Sequence, residues 1–193
     1  MLFRSAAIWG LNFSVMKSAL SDITPLFYLG IRFVIAGILM IIIFNKNLRN
    51  MRLVDLKAGL IVGFFLATSF SSQIIGLQFT TPGKSGFLSN ASVIIVPFIL
   101  WIVQKKSPGS STILGAIISF IGLGVLSLTS QFTIELGDCL MLLSALLFTG
   151  QIVYTGIYAA EVDSMVLATV QIVVTGICCI AGAFITEPLP SLA

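Results

Sequence analysis

The stretch PLFYLGIRFVIAGILMIIIF, residues 25–44, holds a single charged residue, Arg32, in an otherwise apolar run. A hydrocarbon core about 30 Å thick requires roughly 20 helical residues to cross it. In lipid, every backbone N–H and C=O group must be paired within the protein, and a continuous apolar run satisfies this requirement as a helix. The stretch therefore predicts a transmembrane helix.

Six further apolar runs lie on either side of this stretch, at residues 2–20, 58–77, 83–103, 112–130, 137–158 and 165–185. Hydrophobic residues make up 58% of the chain and charged residues only 9%, a composition outside the range of soluble domains. Barrel strands would instead alternate polar and apolar residues over about ten positions. The sequence predicts an all-α membrane protein, a polytopic helical bundle of seven transmembrane helices surrounded by membrane lipid.

The basic residues are concentrated in two of the gaps between the runs. With the N-terminus inside, the gaps after the second and fourth runs are cytoplasmic, and they hold Lys46, Arg49, Arg52, Lys57, Lys105 and Lys106. This asymmetry predicts a multi-pass protein with a cytoplasmic N-terminus. No basic stripe interleaved with aromatic residues is present, so nucleic acid is not an expected partner.

A weak internal repeat appears when the chain is shifted by 139 residues. The shift places Trp9 on Phe148, Arg32 on Gln171, and other pairs in register: Ser5 on Ser144, Asp22 on Glu161 and Gly37 on Gly176. A repeat of five spans is odd in number, so a second copy must cross the membrane in the opposite sense. We expect a first five-helix repeat at residues 1–130 and the first two helices of an inverted second repeat at residues 137–193.

Several short motifs are distributed along the whole chain. They are Trp9-Gly10, Asn12-Phe13 and Lys17, then Pro25 and Arg32, Gln73 and Gly76-Leu77-Gln78, the segment 80–86, Pro97, Gly115 with the glycines at 122 and 124, and Gly137-Asp138. Together these motifs resemble those of the EamA domain of the drug/metabolite transporter superfamily. One departure is Gln104-Lys105-Lys106-Ser107, which stands where the family has a Gly-Glu-Arg-like turn. Members of this family have ten spans in two five-helix halves around a central cavity, so the chain resembles a truncated member.

The resemblance implies a secondary transporter, or a fragment of one, in the cell membrane. Such a protein moves small metabolites, for example amino acids or related compounds, by alternating access. A second copy of the chain, or a C-terminal transmembrane segment outside it, is then the expected protein partner. The alternative is a non-transporting interaction or assembly unit, or an inactive remnant, and small residues at helix-packing spacing are compatible with it.

Polar side chains within the predicted spans are the candidates for substrate binding. A charge at the bilayer centre costs about 2.5 to 3.5 kcal/mol on insertion scales, so Arg32 is a candidate by default, either lining a cavity or neutralised by carbonyls. Lys84 is a second cation, although it could also reach water as an interfacial residue. Cations of this kind predict a substrate with a carboxylate or phosphate. The full candidate set is Trp9, Asn12, Arg32, Gln73, Lys84, Asn90 and Gln151.

Two further residues are candidates for gating. Lys17 lies near the end of the first span, where it either takes part in a gate or extends to water. Pro97 removes one intrahelical hydrogen bond from the fourth span and is expected to kink it, as a hinge or as a packing bend. Trp9 has a similar pair of alternatives, a gate or a packing residue.

Catalytic and metal-binding motifs are missing from the sequence. The chain has no His, and its seven Asp and Glu residues fall in gaps or at span ends. An imidazole relay is therefore excluded, and no G-x-S-x-G elbow or phosphate-binding glycine loop is present. The sequence predicts a protein that is not an enzyme and has no catalytic residue, metal site or cofactor.

Overall fold

The computed structural model describes residues 2–21, 23–105, 109–127 and 135–188, and their side chains except those of residues 2–10, 104, 120 and 123–127. Every secondary-structure element in these ranges is an α-helix. In chain order the helices are α1 (Leu2–Ala19), α2 (Pro25–Ile43), α3 (Asn45–Leu48), α4 (Leu53–Gln78), α5 (Pro82–Ser89), α6 (Ala91–Gln104), α7 (Ser110–Ser127), α8 (Leu136–Tyr158) and α9 (Ser164–Thr186). The prediction of an all-α polytopic bundle is confirmed.

Five segments of the described chain are long and apolar enough to cross a membrane. They are α2, α4, α8 and α9, together with Pro82–Val103, which combines α5 with most of α6. The other two predicted spans form the 18-residue helices α1 and α7. The count of seven membrane crossings stays a prediction for these two helices.

Helix ends depend on capping residues as well as on hydropathy. Pro25 and Pro82 occupy the first turns of α2 and α5, where proline's missing N–H removes no helical hydrogen bond. Helix α4 begins at Leu53, five residues before the predicted start at residue 58. The Asp55 carboxylate accepts from the backbone N–H of Arg52 at 2.7 Å and so caps an additional turn. The apolar run in the sequence predicted only the part of α4 that follows the charged residues at its start.

Helix α4 lies at the centre of the bundle, with α8 and α9 packed along it and α2 packed on α9. Glycines permit the close approach between these helices. A Cβ atom on Gly63 would lie 3.1 Å from the Cα of Gln171, and one on Gly176 would lie 3.0 Å from the backbone N of Val34. Membrane helices associate through such small residues, because lipid supplies no hydrophobic driving force between them.

The two ends of the bundle differ in their charges. One end, here called the basic end, holds Lys46, Arg49, Arg52 and Lys57. The other, here called the opposite end, holds the C-terminus of α1, where Lys17 contacts the end of α4, and the N-terminus of α8, where Asp138 contacts Lys84. Helix α1 therefore runs towards the opposite end and α8 runs away from it.

The hairpin of α1 and α2 and the hairpin of α8 and α9 correspond under the 139-residue shift. The shift carries the last residue of α1, Ala19, onto the last residue of α8, Tyr158, and the first residue of α2, Pro25, onto the first residue of α9, Ser164. The two hairpins cross the bundle in opposite senses, as an inverted repeat would require, and the repeat itself stays a prediction.

Candidate functional site

A cavity of about 650 Å³ lies between α1, α4, α5, α6 and α8. Its walls combine phenyl rings with small polar side chains, which is the usual make-up of a small-molecule site. The rings are those of Phe13, Phe70 and Phe148, and the polar side chains are those of Ser14, Ser69, Gln73, Ser89, Asn90, Ser92 and Ser144.

The helix that faces this cavity is broken at Asn90, between α5 and α6. The backbone N–H groups of Asn90 and Val93 each bind the carbonyl three residues back, at 3.1 and 3.0 Å, in place of the carbonyl four residues back. The carbonyls of Gly86 and Ser89 thereby lose their usual helical partners. The side-chain amide of Asn90 donates to Gly86 at 2.7 Å, and the Ser92 hydroxyl donates to Ser89 at 3.0 Å. The side chains of Asn90 and Ser92 therefore stabilise the break.

Pro97 lies seven residues beyond this break, and α6 continues through it to Gln104. The break in this span lies at Asn90, whereas α6 is continuous through Pro97. The physical reason is that Asn90 and Ser92 replace the missing backbone bonds, whereas a proline removes a single bond that a membrane helix tolerates. A hinge at Pro97 stays a prediction.

Hydroxyl and amide contacts join α4 to the other walls of the cavity. The buried hydroxyl of Ser69 donates to the Ser144 carbonyl at 2.9 Å, and the two hydroxyl oxygens are 3.2 Å apart. The amide of Gln73 donates to the Ser89 hydroxyl at 3.1 Å, and that hydroxyl lies 3.7 Å from the sulfur of Met141. These contacts join α4 and α5 to α8 along the polar part of the cavity wall.

An ion pair also joins α5 to α8 at the opposite end. The Lys84 ammonium lies 2.6 Å from a carboxylate oxygen of Asp138, which is only 6% exposed. The carboxylate also accepts from the backbone N–H of Glu135 at 3.0 Å and so caps α8. Lys84, a predicted substrate ligand, thus has a protein carboxylate as a partner and lies next to Gly83 of the cavity wall.

Lys17 contacts the C-terminal end of α4. Its ammonium donates to the carbonyls of Leu77, Gln78 and Thr80 at 2.6, 2.9 and 3.1 Å. The last carbonyls of a helix have no intrahelical donors and carry the negative end of the helix dipole, so a cation is favourable there. The contact ties α1 to α4, and the gating role of Lys17 stays a prediction.

We expect Lys17→Met to lower the free energy of unfolding by about 1 to 2 kcal/mol, because three carbonyls lose a charged donor. Reversible unfolding in mixed micelles would measure the change. Lys57→Met is the matched control, since Lys57 is exposed and its replacement should change stability by less than about 0.5 kcal/mol. Equal effects of the two substitutions would contradict a capping role for Lys17.

Two polar contacts elsewhere occupy positions that the 139-residue shift relates. Arg32 donates to the Asn12 amide oxygen at 3.3 Å, and Gln151 donates to the amide oxygen of Gln171 at 3.1 Å. Asn12 and Gln151, like Arg32 and Gln171, are 139 residues apart. Arg32 is exposed in the described chain, and its guanidinium carbon lies 5.9 Å from the centroid of the Phe33 ring.

At the basic end, the segment between α2 and α4, which includes α3, contacts the turn between α8 and α9. The Asn47 amide donates to the Asp163 carboxylate at 2.8 Å, and the Arg52 guanidinium donates to the Glu161 carbonyl at 2.7 Å. The bond from Asn47, together with backbone N–H donors at the start of α9, lowers the pKa of Asp163. Because its folded-state pKa is depressed, this carboxylate stabilises the contact at neutral pH and loses that effect only when the pH falls through the lowered pKa.

The structure gathers two of the predicted substrate ligands at the cavity and places the others elsewhere. Gln73 and Asn90 line it. Asn12, Arg32, Lys84 and Gln151 form the contacts described above, and the side chain of Trp9, on α1, lies outside the described residues. As substrate ligands, all seven candidates remain predictions.

Sequence reasoning missed several residues of the cavity, among them Ser89, Ser144 and Phe148. A signal for Phe148 was present in the sequence, because the 139-residue shift pairs it with the candidate Trp9. Ser89 carries no comparable signal, since its role depends on the break at Asn90.

Comparison with known proteins places the chain among transporters. The EamA-like transporter family matches residues 1–128. An uncharacterized transporter of Archaeoglobus fulgidus is 33% identical over 163 residues, which cover 84% of this chain and 50% of the relative. The uncharacterized transporter YvbV of Bacillus subtilis is 24% identical over 189 residues, covering 96% of this chain and 62% of the relative.

A third relative has a named substrate. The S-adenosylmethionine/S-adenosylhomocysteine transporter of Chlamydia muridarum is 27% identical over 111 residues, which cover 55% of this chain and 34% of the relative. No solved structure gives a significant match. This chain spans about half of the length of the first relative and about three fifths of that of the second. The family match, the multi-pass helical bundle and the transporter relatives together show that the chain belongs to the EamA-like transporter family.

Proposed function

We propose that this chain forms part of a secondary transporter that moves small metabolites across the cytoplasmic membrane. The observation that carries the proposal is the cavity of about 650 Å³ beside the broken span at Asn90, between the first repeat and α8. Secondary transporters bind their substrates near the midplane, at repeat interfaces where helices are discontinuous. The cavity lies beside such a discontinuity, and its wall has hydroxyl and amide groups.

Alternating access is the proposed mode of transport, and the contacts at the two ends of the bundle support it. Lys84 and Asp138 join the first repeat to α8 at the opposite end, while Asn47 and Asp163 join it to α9 at the basic end. Opening the cavity towards one side requires the contacts at that end to separate while those at the other end persist. Because each state keeps the contacts at one end and breaks those at the other, the state open to one side and the state open to the other can differ by only a small free energy.

The orientation we propose places the basic end in the cytoplasm. The positive-inside rule favours this, because Lys46, Arg49, Arg52 and Lys57 all lie in or beside the loop between α2 and α4. Helix α1 runs towards the opposite end, so its N-terminus is then cytoplasmic. We propose residues 1–130 as the first repeat, and residues 137–193 as the start of the second.

Transport is proposed for the complete protein, because the relatives are longer than this chain. Further helices, from a C-terminal segment or from a second copy, would complete the cavity wall and cover the exposed Arg32. Amino acids or related compounds remain the proposed substrate class, and the Chlamydia muridarum relative named for S-adenosylmethionine supports a metabolite of that kind.

The test is uptake into proteoliposomes that contain the full-length protein, first with labelled S-adenosylmethionine and then with labelled amino acids. We expect Gln73→Leu to lower uptake at least about 10-fold, because it removes the amide that donates to Ser89 in the cavity wall, and tenfold corresponds to about 1.4 kcal/mol. Gln78→Leu is the matched control on the same helix, since its side chain is exposed, and it should retain uptake within about twofold.

Two results would contradict the proposal. One is uptake no faster than in protein-free liposomes for every compound, with the protein still folded, which would favour the non-transporting assembly unit. The other is an equal loss of uptake in Gln73→Leu and Gln78→Leu, which would show that transport does not depend on the cavity.

A further inference from the structure

The charge of the cavity wall differs from what the sequence predicts. Among the described residues that line the cavity there is no Asp, Glu, Lys or Arg. The Lys84 ammonium is paired with Asp138 at 2.6 Å, and the Lys17 ammonium lies on the carbonyls at the end of α4. Arg32 donates to Asn12 and is not one of the lining residues. The described wall is therefore electrically neutral.

The apolar part of the wall is aromatic. Phe13, Phe70 and Phe148 all face the cavity, and the rings of Phe70 and Phe148 meet edge to face with centroids 6.3 Å apart. Phenyl faces carry a negative potential and edges a positive one, so they favour another flat ring or a cation and disfavour an anion over the face.

The polar part of the wall can form hydrogen bonds without supplying a counter-charge. Serine hydroxyls and the Gln73 amide both donate and accept. A buried carboxylate or phosphate needs a cation or several convergent donors to offset its desolvation. Of the donors on the wall, the Ser69 hydroxyl already binds Ser144, and the Asn90 amide already binds Gly86.

We infer that the cavity selects a substrate that has a flat aromatic ring and hydrogen-bonding groups and carries no net negative charge. This inference rests on the proposed transport function, and it replaces the carboxylate or phosphate preference that the lysines and Arg32 predicted. Neutral aromatic compounds, zwitterions and aromatic cations all belong to the selected class.

Four small probes of similar size separate charge from ring character: phenylacetamide, phenethylamine, phenylacetate and cyclohexylacetamide. Their dissociation constants would be measured by titration against the full-length protein in nanodiscs. Phenylacetamide and phenethylamine should bind at least about 10-fold more tightly than phenylacetate, which is about 1.4 kcal/mol. Cyclohexylacetamide should bind several-fold more weakly than phenylacetamide, because it lacks the aromatic face.

Ser14→Lys tests whether the cavity is the site of this selection. Ser14 is exposed on the cavity wall, so a lysine there introduces a cation that should make phenylacetate the tighter ligand by about 10-fold or more. Ser18→Lys is the matched control, since Ser18 is also exposed on α1 but does not line the cavity. It should leave the order of the probes unchanged.

The inference is overturned if phenylacetate binds as tightly as phenylacetamide, if Ser14→Lys and Ser18→Lys behave alike, or if none of the probes binds. Its failure can be told apart from failure of the proposed function. Binding in the expected order without uptake would refute transport alone, whereas uptake of organic anions as fast as neutral aromatic compounds would refute the selectivity alone.

Discussion

Asp138→Ala is expected to lower the free energy of unfolding by about 3 to 5 kcal/mol, the range found when one partner of a buried ion pair is removed. Asp138 is 6% exposed and lies 2.6 Å from the Lys84 ammonium, whose charge would remain partly buried. The same substitution removes the acceptor for the backbone N–H of Glu135 at the start of α8. Reversible unfolding in mixed micelles measures the loss.

A second substitution in the same pair separates charge from capping. Lys84→Met removes the ammonium that has lost the Asp138 carboxylate, so the double variant should be less destabilised than the sum of the two single variants, by at least about 1 kcal/mol. Glu161→Ala is the control for losing an acidic side chain, because Glu161 is exposed, and it should change stability by less than about 0.5 kcal/mol. Strict additivity in the Asp138 and Lys84 cycle would show that the ion pair contributes nothing.

Gly137→Ala is expected to destabilise the protein by about 1 to 3 kcal/mol, the usual range for overpacking. A Cβ atom at this position would lie 2.8 Å from the carbonyl oxygen of Gly76 and 3.0 Å from the carbonyl carbon and oxygen of Phe79. These are backbone atoms at the end of α4, and they cannot rotate away as a flexible side chain can. The ends of α4 and α8 would have to separate, which would also strain the nearby Lys84 and Asp138 contact.

Gly156→Ala is the matched control on the same helix. Among the described residues, no atom outside the backbone of α8 lies within 4 Å of a Cβ atom placed there, so the substitution creates no clash with them. Alanine is also favoured over glycine within a helix by about 0.5 to 1 kcal/mol. Stability should be unchanged or raised in this variant, and a loss as large as that of Gly137→Ala would mean that close packing of α4 and α8 is not the cause.

The helices themselves were predictable because lipid leaves an apolar chain few alternatives. Residues 25–44 were expected to form a helix, and α2 spans Pro25–Ile43. The 139-residue repeat was visible in the sequence, and the bounds of α8 and α9 agree with it. The predicted start of α4 was too late, because the apolar run begins only after the charged residues. The Asp55 cap allows the helix to begin before them, at Leu53.

The candidate site was only partly predictable. Gln73 and Asn90 were expected at the cavity because amide groups are expensive to leave unpaired in a membrane, and both line it. The break at Asn90 was not expected, because it depends on which side chains take over the carbonyls of Gly86 and Ser89. A proline is recognisable in a sequence as a residue that bends helices, so the sequence predicted a kink at Pro97 and no break at Asn90.

The sequence by itself determined that this protein is a multi-pass helical bundle, since this follows from the length and composition of its apolar runs, and the inverted repeat that it predicts stays a prediction. Only the tertiary structure decided the partners of the charges. Lys84 meets Asp138, 54 residues away in the chain, and Lys17 meets carbonyls 60 to 63 residues away. These pairings depend on the rotation and register of one helix against another. Membrane helices that are apolar on every side carry little periodicity from which that register could be read.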